Sequence, residues 1–235
     1  IRRCSTEQIA GAVSNCAFTV VPDRERGKSL CDYLGTDLDM EYLPVSVRPV
    51  SVPEGCSGSR DAVYSGYFAE WACLSELVGA WSGCGCGRSA KLLLQGHAMG
   101  SEECLDEVEE KARSAESVRI DTSFYDDESH CRLLEGYAAG FALYKNISGT
   151  DNFENLVFSS GKIASYLWSG LAVITNLDSP VTREVPFIYI PEITSEAVGR
   201  AVREVWSDRQ EYFEAALDKA AKLYNFDVNA GPVLD

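Results

Sequence analysis

Residues 158–175 read Phe-Ser-Ser-Gly-Lys-Ile-Ala-Ser-Tyr-Leu-Trp-Ser-Gly-Leu-Ala-Val-Ile-Thr. The run divides into a small-residue turn, a short helix, a glycine stop at Gly170 and a buried apolar strand. Lys162 stands in the first turn of the helix. N–H groups at a helix start are unpaired and carry partial positive charge. Ser159, Ser160 and Gly161 let an anion approach those groups closely, and Lys162 adds a full charge. These residue types in this order suit a phosphate, and so the handling of a nucleotide-linked substrate. An ordinary serine cap with a solvated lysine uses the same residues, so the surroundings must decide.

Outward from this stretch, strand and helix signals alternate, the pattern of an α/β fold with a parallel sheet. A capping box at Ser5 opens a helix to about residue 15. A strand over 18–21, a helix over 23–34 ended by Gly35, and a short strand over 40–44 follow. Residues 45–60 hold Pro49, Pro53, Gly55 and Gly58 among serines and read as a linker. A fresh unit then begins with a strand at 62–64 and a turn at 65–67. Phe68, Trp71, Leu74, Leu77, Val78 and Trp81 recur at helical spacing, which predicts a helix over 68–81. Strands are predicted at 91–95, 117–120, 140–144, 171–175 and 186–190, with helices at 101–114 and 127–138 between them. Two helices, 194–206 and 208–224, close the chain. The expected organisation is a remnant domain at 1–45, a linker at 46–60, a Rossmann-like domain at 61–195 and C-terminal helices at 196–235.

Composition sets limits on function. The 235 residues carry a net charge of −15, which argues against nucleic acid, whose phosphates demand clustered lysine and arginine. It also disfavours broad adhesion to an anionic membrane surface. The acids between Glu102 and Glu110 and across 116–135 read as solvated helix faces. No apolar run approaches the roughly 18 residues of a membrane span, and no secretory signal pattern is read. The nine cysteines are odd in number. Cys73, Cys104 and Cys131 fall on predicted helices, where each serves as a small hydrophobe. Cys84 and Cys86 form the one tight pair, with no second pair or spaced histidine to complete a zinc site. A reduced, cytoplasmic chain is expected, with a peripheral place at the inner face of the membrane as the alternative. The chain opens on Ile1 and is read as a piece of a longer protein.

The order of elements, with the 158–175 segment in fifth place, resembles the second domain of GT-B glycosyltransferases, particularly the family 4-like group. The residues that match its characteristic stretch are Ser159, Ser160, Gly161, Lys162, Tyr166, Gly170, Leu171, Val173 and Ile174. Tyr64, Gly66 and Tyr67 resemble the glycine turn that opens that domain. Residues 20–26 and 43–46 resemble the end of the first domain and the hinge. What the resemblance implies is a site for a nucleoside diphosphate sugar over the carboxyl ends of the strands, where parallel sheets bind ligands. Ser160, Gly161 and Lys162 would hold the diphosphate and stabilise it as it departs. Gly66 would admit the phosphates to the backbone. Thr122, Ser123 and Phe124 would seat the base, Tyr166, one turn beyond Lys162, would face the ligand or join the core, and Glu154 would meet a sugar hydroxyl or stand exposed in its loop. No catalytic residue is assigned, and neither a metal nor a cofactor is implied.

The sequence departs from that pattern in two carboxylates, in having no arginine or lysine in the turn after Gly66, and in Ala172 where the strand's proline is usual. Ser165 stands where a ribose-holding glutamate is usual, and Val157 where an earlier acid falls. The expected activity is transfer of a sugar to an acceptor glycan or lipid-linked glycan in polysaccharide biosynthesis. This chain would hold mainly the donor-binding half and turn over little alone. A nucleotide-sugar epimerase and a non-catalytic binding or assembly module are the rivals. His97 is placed on a rim, His130 on an exposed helix, and Trp71 with Trp81 in the core. The last helix either packs back across the hinge or mediates self-association.

Overall fold

The computed structural model describes residues 5–47, 49, 51–56, 58–98, 103–147 and 156–234; Glu154 lies outside them. The first elements are α1 (Thr6–Val13), β1 (Thr19–Val21), α2 (Arg24–Leu34) and β2 (Met40–Tyr42). Ser5 and Gln8 close the predicted capping box on α1. Asp23 caps α2, and Gly35 ends it in the left-handed conformation, as glycine does without steric cost. β1 and β2 pair in parallel as a two-stranded sheet.

The larger part runs β3 (Ala62–Ser65), α3 (Leu74–Gly83), β4 (Leu92–Gln95), α4 (Glu103–Arg113), β5 (Val118–Asp121), α5 (Asp127–Glu135), β6 (Ala139–Ala142), α6 (Gly161–Trp168), β7 (Ala172–Thr175) and β8 (Phe187–Tyr189), followed by α7 (Ser195–Ser207), α8 (Arg209–Leu223) and α9 (Phe226–Leu234). Six strands form one parallel sheet in the order β5-β4-β3-β6-β7-β8. One face carries Tyr64, Leu92, Leu94, Phe141 and Ile174 against α3 and α7. The other carries Val63, Leu93 and Val173 against α6 and α8. With both faces covered, the inner strands read as nearly unbroken apolar runs rather than alternating ones; the edge strand β5, Val-Arg-Ile-Asp, alternates. None of the described helices is long and apolar enough to cross a membrane.

The structure corrects three expectations. The helix predicted over 68–81 is broken: Glu70–Ala72 is a 3-10 turn, Cys73 takes φ 55°, and the α-helix starts at Leu74. Phe68 instead continues the line of β3, donating its N–H to the His97 carbonyl and bridging Ala98. Residues 45–47 are not a free linker. Val45 N–H donates to the Phe158 carbonyl and Val47 N–H to the Tyr224 carbonyl, so the stretch is sewn to the segment ahead of α6 and to the end of α8. The third correction is Tyr166, expected to face a ligand. It is fully buried in the core between α6 and the sheet. Its ring occupies the space a side chain at Gly140 would need, 2.4 Å from where a Cβ would stand.

That tyrosine secures the centre of the sheet. The β3–β6 ladder pairs only Ala62 with Ala139 and Val63 with Gly140, whereas the β6–β7 ladder has four pairs. Beyond Val63 the Tyr166 hydroxyl takes over, accepting from Ser65 N–H at 2.7 Å and donating to the Phe141 carbonyl at 3.3 Å. Tyr166→Phe strands both backbone groups in a buried place, which costs about 1–3 kcal/mol. Urea unfolding should show the midpoint falling with the slope unchanged, and an unaltered midpoint would contradict this role.

Candidate functional site

β3 and β6 are the neighbours at which the chain order of the sheet reverses. Turns leaving such a pair diverge to either side and open a crevice beyond the carboxyl ends. Here it is bounded by the turn at 65–67 after β3, the turn at 95–97 after β4, the loop at 121–125 after β5, and the segment leading into α6.

Lys162 enters this crevice from below. Its stem is partly open to solvent, yet the ammonium is enclosed and has no hydrogen-bond partner among the described residues. Nζ lies 3.9 Å from the Tyr64 ring centroid, 5.3 Å from Tyr144 and 5.8 Å from Trp71. Trp71 and Tyr144 themselves stack at 5.9 Å and 6°. Three aromatic faces offer a cation their quadrupoles, and no counter-charge stands beside it among the described residues. Burial raises both tyrosine hydroxyls, Tyr144 to about 12, and pushes the Cys73 thiol to about 12, so all three are neutral at pH 7. Burial also pushes Lys162 down to about 7. A cation set in place without an anion is a costly arrangement.

Above it lies Gly66, at φ 154°. A Cβ there would stand 3.0 Å from Lys162 Cε and 3.3 Å from Nζ, so only a residue without a side chain fits this closely over the enclosed ammonium. Gly96, at φ 145°, packs against this turn, and a Cβ on it would lie 1.7 Å from the Gly66 carbonyl oxygen. Ser160 caps α6 through Ile163 N–H and bonds the Tyr144 hydroxyl at 2.9 Å. Its side chain is committed to the protein, contrary to the expectation of a ligand contact. Gly161 is exposed and, with Lys162, keeps a first-turn N–H that the helix cannot satisfy.

Beside Gly66 opens a cleft of about 210 Å³ lined by Tyr67, His97, Ser123, Phe124, Tyr125 and His130 among others. Phe124 is 90% exposed at its mouth, and Tyr67 meets the His97 ring edge-on at 5.0 Å. Ser123 is in place there. Thr122 is not; it faces a separate groove with Glu109 and Arg113, because successive residues leaving a strand point to opposite sides. A second cavity of about 710 Å³ adjoins Trp71, between the starts of α3 and α4, with Glu70, Glu76, Glu103, Glu107 and Lys145 in its walls.

His130, expected on an exposed surface, is half-buried, with Nε2 2.7 Å from Ser65 Oγ. A signal for it was present. His130, Leu133 and Leu134 follow an i, i+3, i+4 spacing, the inner face of α5. Among the described residues no cluster of histidine, cysteine or acid is placed to hold a metal.

The sequence matches no protein-family model and no curated protein. Solved structures share the fold. TarM of S. aureus, crystallised as a point mutant with fondaparinux, alpha-GlcNAc-glycerol and UDP, aligns at TM-score 0.71 and 10% identity, over 97% of this chain and 45% of TarM. HepE of Anabaena, in complex with UDP-glucose, aligns at 0.73 and 11%, over 98% of this chain and 67% of HepE. AviGT4, a glycosyltransferase involved in avilamycin A biosynthesis, aligns at 0.65 and 15%, over 92% and 60%. The chain thus spans about half the length of TarM. Its six-stranded parallel sheet flanked by helices is the Rossmann-like fold of GT-B glycosyltransferases.

Proposed function

We propose that this chain is the donor-binding part of a nucleotide-sugar-dependent glycosyltransferase, close to the family 4-like group, acting on a glycan or lipid-linked glycan acceptor. The observation that carries this is the enclosed Lys162 ammonium, without a hydrogen-bond partner among the described residues, beneath the glycine turn at the point where strand order reverses. A diphosphate over Gly66 supplies the missing counter-charge and meets the free N–H groups of Gly161 and Lys162. Negative charge grows on that diphosphate as the sugar leaves, so the same cation stabilises the transition state. Ser123 and Phe124 border the cleft beside Gly66, where the base has room to lie. The UDP and UDP-glucose complexes of the similar structures support the choice of ligand class. Because the chain spans only part of those proteins, it is expected to bind donor while transferring little sugar unaided. A cytoplasmic setting goes with this reading.

A non-catalytic binding module is the second reading, favoured by one observation. Val157 is buried and Ser165 only partly exposed where carboxylates were expected. Calorimetry separates affinity from activity. UDP should bind at least about tenfold more tightly than uridine, the worth of a single charge-assisted contact. Equal affinities would overturn the phosphate site. Sugar transfer by a longer form that includes these residues would exclude the module.

A further inference from the structure

Ser65, Gln95 and His130 form a hydrogen-bond chain whose polarity is fixed from one end. The Ser123 carbonyl can only accept, so the Gln95 group facing it at 3.2 Å is the amide nitrogen. The amide oxygen is then turned to Ser65, whose hydroxyl donates to it at 2.6 Å. A hydroxyl has one proton. With that proton spent, Ser65 Oγ meets His130 Nε2 at 2.7 Å as an acceptor, and Nε2 must carry the hydrogen. Burial lowers the pKa of this imidazole, against the pull of Asp127, which keeps the ring neutral at pH 7. A neutral ring protonated at Nε2 presents Nδ1 as an acceptor. Among the described residues Nδ1 has no hydrogen bond, and His130 is part of the wall of the 210 Å³ cleft.

We infer that His130 reads the base of the nucleotide, accepting a ring N–H at Nδ1 and so selecting a lactam-type base, uracil among the pyrimidines. This rests on the donor-site reading above. Cytosine presents a ring nitrogen that is itself an acceptor, and two acceptors facing each other away from water leave both unsatisfied. Ser65 and Gln95 act through His130 as positioning residues. They hold the ring in one tautomer while the Ser123 carbonyl anchors the whole chain.

The test compares UDP with CDP by calorimetry on the full chain. The two ligands carry the same diphosphate, so effects of Asp127 on α5, and of His97, Tyr67 and Tyr125 across the cleft, on phosphate attraction cancel in the ratio. At pH 7.5, UDP should bind at least about tenfold more tightly than CDP, the cost of one mismatched buried pair. Lowering the pH far enough to protonate the ring makes Nδ1 a donor, and the ratio should shrink. His130→Phe should bring the two affinities within about twofold while UDP still binds, and Ser65→Ala should narrow the gap with the imidazole still present. Equal affinities in the unaltered protein, or a ratio unmoved by His130→Phe, overturn the assignment and leave the donor site standing. If no nucleoside diphosphate binds at all, both fall together. The ratio in the unaltered protein and its pH profile need no variant to fold.

Discussion

Lys162→Met is expected to weaken binding of a nucleoside diphosphate by roughly ten- to a hundredfold, the worth of one charge-assisted contact, while raising the thermal midpoint of the ligand-free protein. The two effects share one cause. The ammonium sits among Tyr64, Trp71 and Tyr144 with no partner among the described residues, so an isosteric thioether in the same enclosure removes a desolvation penalty. The ligand that would have compensated the charge loses its counter-ion at the same time. Stability gained where function is lost marks a site set up for something other than stability.

The pH dependence has a definite sign. Lys162 is held down to about 7 in the folded protein, against roughly 10.4 in an unfolded chain. Between those values the unfolded chain binds the extra proton, so this group makes the protein more stable as pH rises from about 7 toward 10. Donor affinity moves the other way and weakens as pH rises through 7, because only the charged amine attracts the diphosphate. Lys162→Met should remove both slopes. Calorimetry and thermal melts across pH 6–9 would check this, and an unchanged diphosphate affinity in the variant would end the phosphate argument.

Gly96→Ala should have the largest effect on the fold. The new Cβ would stand 1.7 Å from the Gly66 carbonyl oxygen, at a φ of 145° that side chains rarely adopt. The obstruction is backbone, which cannot rotate aside, so the β3 and β4 turns must separate. A loss of about 3 kcal/mol or more is expected from strain and broken pairing together, read as a fall in the urea midpoint. Because the Gly66 N–H donates to the Gln95 carbonyl in this corner, donor binding should fall with it. A variant with an unshifted midpoint would mean the two turns are not in contact.

The strands could be located from the sequence because a sheet covered on both faces needs unbroken apolar runs, and Leu92, Leu93 and Leu94 supply one plainly. Lys162 at a helix start was equally visible. Its enclosure was not, because Tyr64, Trp71 and Tyr144 come from three separate segments and meet only in the folded chain. Tyr166 misled for a related reason. One turn beyond Lys162 it should share that residue's direction, but the missing side chain at Gly140 gives its ring a berth inside the sheet. His130 was hidden by the acids around it, although its spacing from Leu134 already placed it inward. The break at Cys73 left no mark on the apolar periodicity, which continues across it.

The fastening at Tyr224 has a mechanical consequence. Its carbonyl takes the N–H of Val47 and the indole N–H of Trp168, and its hydroxyl donates to the carbonyl of Val157. One side chain and its own peptide thus tie the strip that follows β2 to both ends of the helix bearing the buried amine. Any swing of the leading β1–β2 portion must therefore strain or break a fastening that the same tyrosine makes to the helix bearing Lys162.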